Sequence, residues 1–187
     1  PTWALPVLSW AAKAMSHPLF EVVRQRYRRS CGYCGVTETA VGGELTLDHY
    51  HPRAAGGSDE PDNLVYACIK CNQYKSDYWP DDADLAQGRR LLHPGVDDAS
   101  LHMSEDEATG RLQGLTPTGV FHITVLRLNR PQLVAHRLAR RLEKILEEKI
   151  RLLEQQNAEM ERTIAAQERY LDVLGAPPAR IRRRPPA

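Results

Sequence analysis

All four cysteines of this chain fall into two Cys-x-x-Cys pairs, Cys31/Cys34 and Cys68/Cys71. A disulfide framework has no need of that pairing, whereas a tetrathiolate zinc site does. Such a site ties two distant segments into one knuckle and fixes everything between them. What lies between is rich in other chemistry: Asp48-His49, then Asn63, with Asn72 and Lys75 following the second thiolate pair. A zinc clamp and an oxygen/imidazole site are therefore interleaved. The absence of cysteines outside the pairs points to a reducing, cytoplasmic setting.

The local patterns order the segment. Phe20 to Arg29 reads as a short basic helix before the Cys31-Gly32-Tyr33-Cys34-Gly35 knuckle, where Gly35 suits a tight turn. Leu45-Thr46-Leu47 alternates like a strand. Pro52 to Asp62, with Gly56-Gly57-Ser58 and Pro61, reads as a loop. Leu64 to Ala67 reads as a second strand, and Cys68 to about Tyr78 as a helix stopped near Pro80.

Each residue type brings a capacity. Asp48 is a hard oxygen ligand for a divalent cation. His49, at a strand end, can take a proton from water at neutral pH. Asn63 can bond backbone across the loop. Asn72 and Lys75 share a helix face, one offering a carbonyl oxygen and the other a charge for a phosphate. The thiolates of Cys68 and Cys71 open the helix that carries Asn72, so the zinc sets the angle of that helix against the strand of Asp48 and His49. Together these residues suit in-line attack of water on a phosphodiester.

The series Asp48-His49-Tyr50-His51-Pro52, Gly56-Gly57, Asn63-Leu64 and Cys68-x-x-Cys71-Asn72-x-x-Lys75 resembles the HNH endonuclease family. The likeness covers about residues 31 to 79. It implies a ββα-metal fold of two strands and a helix around one catalytic divalent ion. By that resemblance His49 is the general base, Asp48 and Asn72 are metal ligands, Asn63 orients the His49 loop, and the cysteines form the structural zinc clamp found in many members. Many members carry His where this chain has Asn72, although Asn variants occur, including in RNA-guided nucleases with an HNH domain. Asp with Asn suits Mg²⁺ or Mn²⁺ better than a soft transition metal. DNA is the implied substrate, with 5′-phosphate and 3′-hydroxyl ends. Backbone phosphate contacts are expected from Lys75, Arg53, Arg24 and Arg28.

A formal net charge of +1 gives the chain no global attraction for nucleic acid, so local basic clusters matter more. They lie at Arg24 to Arg29 and at Arg180 to Arg184. The apolar stretch Trp3 to Ala12 is too short to span a membrane and reads as a packed helix or arm. Leu112 to Leu115 and Val120 to Leu128 read as strands joined by the Thr116-Pro117-Thr118-Gly119 turn. His93, His102 and His122 lack ligand spacing and read as surface or packing histidines.

Pro131 opens a long helix, uninterrupted by Gly or Pro from Gln132 to Leu174. Ile150, Asn157, Ile164 and Leu171 occupy heptad a positions; Leu146, Leu153, Met160, Gln167 and Leu174 occupy d. This seam suits a coiled coil, as a homodimer or with a partner protein. The alternative is a helix folded back through Leu138, Leu142 and Ile145.

The expected architecture is thus α+β. An arm (1–18) precedes an HNH core with its zinc clamp (19–79). A mixed extension (80–130), the long helix (131–175) and a basic Pro-rich tail (176–187) follow. The expected function is a metal-dependent DNA endonuclease; restriction of foreign DNA, a mobile-element enzyme and the nuclease component of an antiviral defence or nucleic-acid-guided complex all fit it. The competing reading is a zinc-stabilised DNA-binding or assembly module without activity.

Overall fold

The computed structural model describes residues 17–175; the Trp3 to Ala12 arm and the Arg180 to Arg184 cluster lie outside them. The described chain is mixed α+β, with two small antiparallel sheets and a long C-terminal helix. It divides into two compact units, one ending at Leu138 and the other beginning at Ala139.

In the first unit, α1 (Phe20–Arg26) leads into the first thiolate knuckle and α2 (Glu38–Val41) follows it. The knuckle is built by backbone bonds, Cys31 N–H to Val36 O and Gly35 N–H to Cys31 O. Gly35 has φ 75°, a left-handed conformation that glycine adopts without steric cost. β1 (Thr46–His49) and β2 (Leu64–Ala67) pair antiparallel, Asp48 opposite Val65 and His49 opposite Leu64. β2 is apolar at every position and buried along its whole length, so it forms the centre of the core. The Phe20 ring meets Tyr66 edge-on at 5.7 Å. Tyr66 also donates its hydroxyl to Glu38 and accepts from Leu45 N–H, which satisfies a polar atom that burial would otherwise penalise.

α3 (Ile69–Lys75) begins at Cys68, whose Sγ accepts from Cys71 N–H and so caps the helix. The helix ends sooner than the expected Tyr78, at Ser76, which has φ 49°. α4 (Asp82–Ala86) is capped by the Asp81 carboxylate, a signal of helix entry that the sequence carries plainly.

β3 (Met103–Glu105) and β4 (Leu112–Gly114) form the second sheet. The expected strand over Val120 to Leu128 is instead α5 (Pro117–Val125). The physical reason lies in Thr116-Pro117. Thr116 Oγ1 accepts from Gly119 N–H, and Pro117 takes the first helical position, so the pair opens a helix where it resembles a turn. Packing against β4 and the core then overrides the β-branched preference of the segment.

α6 (Pro131–Val173) follows, and its turns through Leu138 belong to the first unit. Arg137 is buried there, donating to Gly110 O and Leu128 O. From Ala139 onward α6 forms the second unit. Its seam residues Leu146, Ile150, Leu153, Met160, Ile164, Leu171 and Leu174 are all exposed. No helix among the described residues is long and apolar enough to cross a membrane.

Candidate active site and metal centre

The four Sγ atoms of Cys31, Cys34, Cys68 and Cys71 lie within 4.8 Å of one another. Cys31, Cys68 and Cys71 are buried and Cys34 half-buried. Four thiols so close form a soft donor set that can hold zinc. Their mutual hydrogen bonds pull the Cys68 thiol well below its ordinary range and push Cys71 well above it. A cation would relieve that conflict, because closely spaced thiolates repel one another without one. Arg130, at the entry to α6, brings Nη2 within 3.8 Å of both Cys68 and Cys71 sulfurs. With a metal bound, its charge would sit beside an anionic metal–thiolate cluster.

The clamp reaches the neighbouring chemistry through Tyr33, which sits inside the first thiolate knuckle. Its hydroxyl donates to Asp48 Oδ2 at 2.6 Å. Burial pushes the Tyr33 hydroxyl well above its usual range, so it stays a donor. Asp48 is itself 6 % exposed, and its other oxygen takes a bond from Lys75 Nζ at 3.2 Å. Burial raises the Asp48 carboxyl, with Lys75 and Tyr33 opposing the rise. Lys75 also donates to His49 O at 2.6 Å.

Asp48, His49, Arg53, Asn72 and Lys75 line one open cleft of about 310 Å³, together with Asp77. α3 packs on β1, and Asn72 Nδ2 donates to Thr46 Oγ1 at 3.3 Å, which leaves its carbonyl oxygen without a hydrogen-bond partner among the described residues. Asn63 does not line the cleft. Its side chain braces the loop instead, accepting from His51 N–H and donating to His51 O and Ser58 O. A Cβ at Gly57 would stand 1.8 Å from His51 O, so only glycine lets the loop fold this tightly. His51 packs in that loop, stacked on Trp79 with ring centroids 3.9 Å apart.

The basic residues divide. Lys75 is buried inside the site and engaged by Asp48, so it presents no free charge at the surface. Arg24 is held by both oxygens of Glu38. Arg53 is exposed and paired with Asp59. Arg28 is exposed, at φ 51°.

Asp59 is the residue that sequence reasoning missed. Its Oδ1 lies 2.7 Å from His49 Nε2. Arg53, with His49 second, holds the Asp59 carboxyl below the usual carboxylate range. One signal was available. β1 ends at His49 and its antiparallel neighbour β2 starts at Leu64, so the loop between must close back over the strand ends. Any charged residue on it was a candidate for reaching His49. Tyr33 carried no such signal beyond its place between two ligand-spaced cysteines.

The HNH endonuclease family model matches residues 31–77. Among curated proteins, the chain is similar to the Septu protein PtuA of Bacillus mycoides (strain KBAB4), 29% identical over 148 residues. That alignment covers 64% of this chain, which itself spans 20% of the relative's length. No solved structure matches the chain. Residues 31–77, which carry both thiolate pairs and the Asp48–His49 strand, therefore match the HNH endonuclease family, as their motif implied.

Proposed function

We propose that the protein is a metal-dependent endonuclease that hydrolyses DNA phosphodiester bonds. The carrying observation is the convergence of Asp48, His49 and Asn72 on one cleft, beside a four-cysteine cluster that fixes the helix bearing Asn72.

The donor set fits a hard cation. Asp48 uses two of roughly four lone-pair sites for Tyr33 and Lys75, and Asn72 retains its carbonyl oxygen. A site offering two protein oxygens would suit Mg²⁺ or Mn²⁺, hard cations that prefer oxygen ligands. Such an ion supplies charge stabilisation at the phosphate and the departing oxygen. The chain's own residues do the rest. Asp48 and Asn72 would hold the ion, and Lys75 fixes Asp48 and the His49 carbonyl. Asn63 holds the loop. His49 takes a proton from the attacking water as the new phosphorus–oxygen bond forms. The bond to the 3′ oxygen breaks, and that oxygen takes a proton from solvent, leaving 5′-phosphate and 3′-hydroxyl ends.

Zinc is the proposed occupant of the cysteine cluster, as a structural ion. The exposed Arg28 and the rim residue Arg53 are the proposed phosphate contacts. The proposed setting is a cytoplasmic defence complex, supported by the partial likeness to the Septu protein PtuA. Assembly through α6 is proposed on its exposed heptad seam.

The test is incubation of purified protein with plasmid, with and without Mg²⁺ or Mn²⁺, beside His49→Ala. The wild type should cut only with metal. The variant should be about 10² to 10⁴ slower, the usual contribution of a general base, while binding DNA as before. A variant that cuts at the wild-type rate would overturn the assignment of the base.

A further inference from the structure

His49 Nε2 rests on Asp59 Oδ1 at 2.7 Å. Arg53 grips the same carboxylate, its Nε 2.7 Å from Oδ1 and its Nη2 on both oxygens. An ionised carboxylate only accepts, so the Nε2 facing it carries the proton. In the neutral ring so protonated, the other nitrogen, Nδ1, carries the lone pair, and it has no hydrogen-bond partner among the described residues.

The energetics argue against a purely structural role. The Asp59 side chain is 52% exposed and Arg53 is 59% exposed, so this ion pair contributes little to folding. What it bears on is the His49 imidazole, whose side chain is only 21% exposed and lines the cleft. The loop that delivers Asp59 is clamped by Asn63 through Ser58 O, one residue away.

We propose that Asp59 is a positioning residue of the nuclease, holding His49 by Nε2–H so that Nδ1 is the nitrogen that accepts the water proton, with Arg53 fixing Asp59 in place. The proposal rests on the nuclease reading above and adds to it a residue and a ring nitrogen. Asn63 acts one step further out, by placing the loop.

The experiment uses the full chain with Asp59→Asn, Asp59→Glu and Arg53→Gln. Cleavage of a defined DNA duplex with Mg²⁺ gives kcat and KM, and ¹⁵N NMR of histidine-labelled protein gives the His49 tautomer. Asp59→Asn should lower kcat about tenfold to a hundredfold, as loss of an outer partner usually does, with KM and melting temperature nearly unchanged. Asp59→Glu should recover part of the rate. Arg53→Gln should lower kcat less than Asp59→Asn. Wild type should show His49 protonated at Nε2, and Asp59→Asn should lose that preference. A wild-type ring protonated at Nδ1, or an Asp59→Asn variant with unchanged kcat, overturns the proposal. If Arg53→Gln raises KM alone, Arg53 serves DNA binding and its supporting role falls. If the wild type cuts nothing with any metal, the nuclease reading fails separately, and the tautomer still decides whether Asp59 sets the ring.

Discussion

Lys75 Nζ lies 3.2 Å from Asp48 Oδ1, and the two side chains are 1% and 7% exposed. A buried ion pair contributes less than its Coulomb energy suggests, but breaking it strands a charge. Lys75→Met should therefore destabilise the fold by about 3–5 kcal/mol, measured by urea unfolding. Asp48→Leu added to that variant should recover most of the loss. A role confined to phosphate contact would leave stability unchanged in Lys75→Met.

Cys71→Ser should unfold the first unit rather than merely inactivate it, because a tetrathiolate metal contributes folding free energy directly. Elemental analysis should find about one zinc per chain. A folded, active preparation containing no zinc would remove the clamp from the account.

The stability of the first unit should fall in mild acid through His122. Its Nδ1 accepts from Leu92 N–H at 3.0 Å, and the ring is 2% exposed. Burial pushes its pKa down to about 4 from the ordinary 6.5. The unfolded chain thus binds the proton more readily, so the contribution is complete above pH 6.5 and is lost as pH falls toward 4. The full loss is about 3 kcal/mol, at roughly 1.4 kcal/mol per pH unit. His122→Asn keeps an acceptor for Leu92 but cannot titrate. Unfolding measured between those pH values should show a shallower slope in the variant, and equal slopes would exclude His122 as the cause.

The α6 seam should pair in parallel with a second copy. Asn157 then meets its twin, and Lys149 can face Glu154 of the other helix. Asn157→Ile should raise thermal stability and loosen the choice of oligomer. Sedimentation of the wild type as a monomer at micromolar concentration would reject the homodimer and leave the seam to a different protein.

Local signals carried the centre of the molecule well. β2 stands at Leu64–Ala67, as its apolar run between Asn63 and Cys68 indicated, and α3 starts at the thiolate pair. They failed at α5, where an apolar, β-branched segment is helical because Thr116 and Pro117 start it and the core accepts it. β3 was invisible, since three residues in an acidic stretch give no period to read.

The sequence by itself determined the inventory: four thiols at ligand spacing, Asp48 beside His49, Asn63 before β2, Asn72 one position beyond the last cysteine, and an uninterrupted α6. Those are properties of spacing, and spacing is local. Tertiary structure alone decided how the side chains are used. Lys75 shares a helix face with Asn72, yet the packing of α3 on β1 turns its charge inward to Asp48, where desolvation makes a partner obligatory. Asp59 is one acid among several in an exposed loop, and only the closure of that loop over the end of β1 brings it to His49. A contact of that kind depends on the path of the backbone between two paired strands, which no residue pattern within the loop encodes.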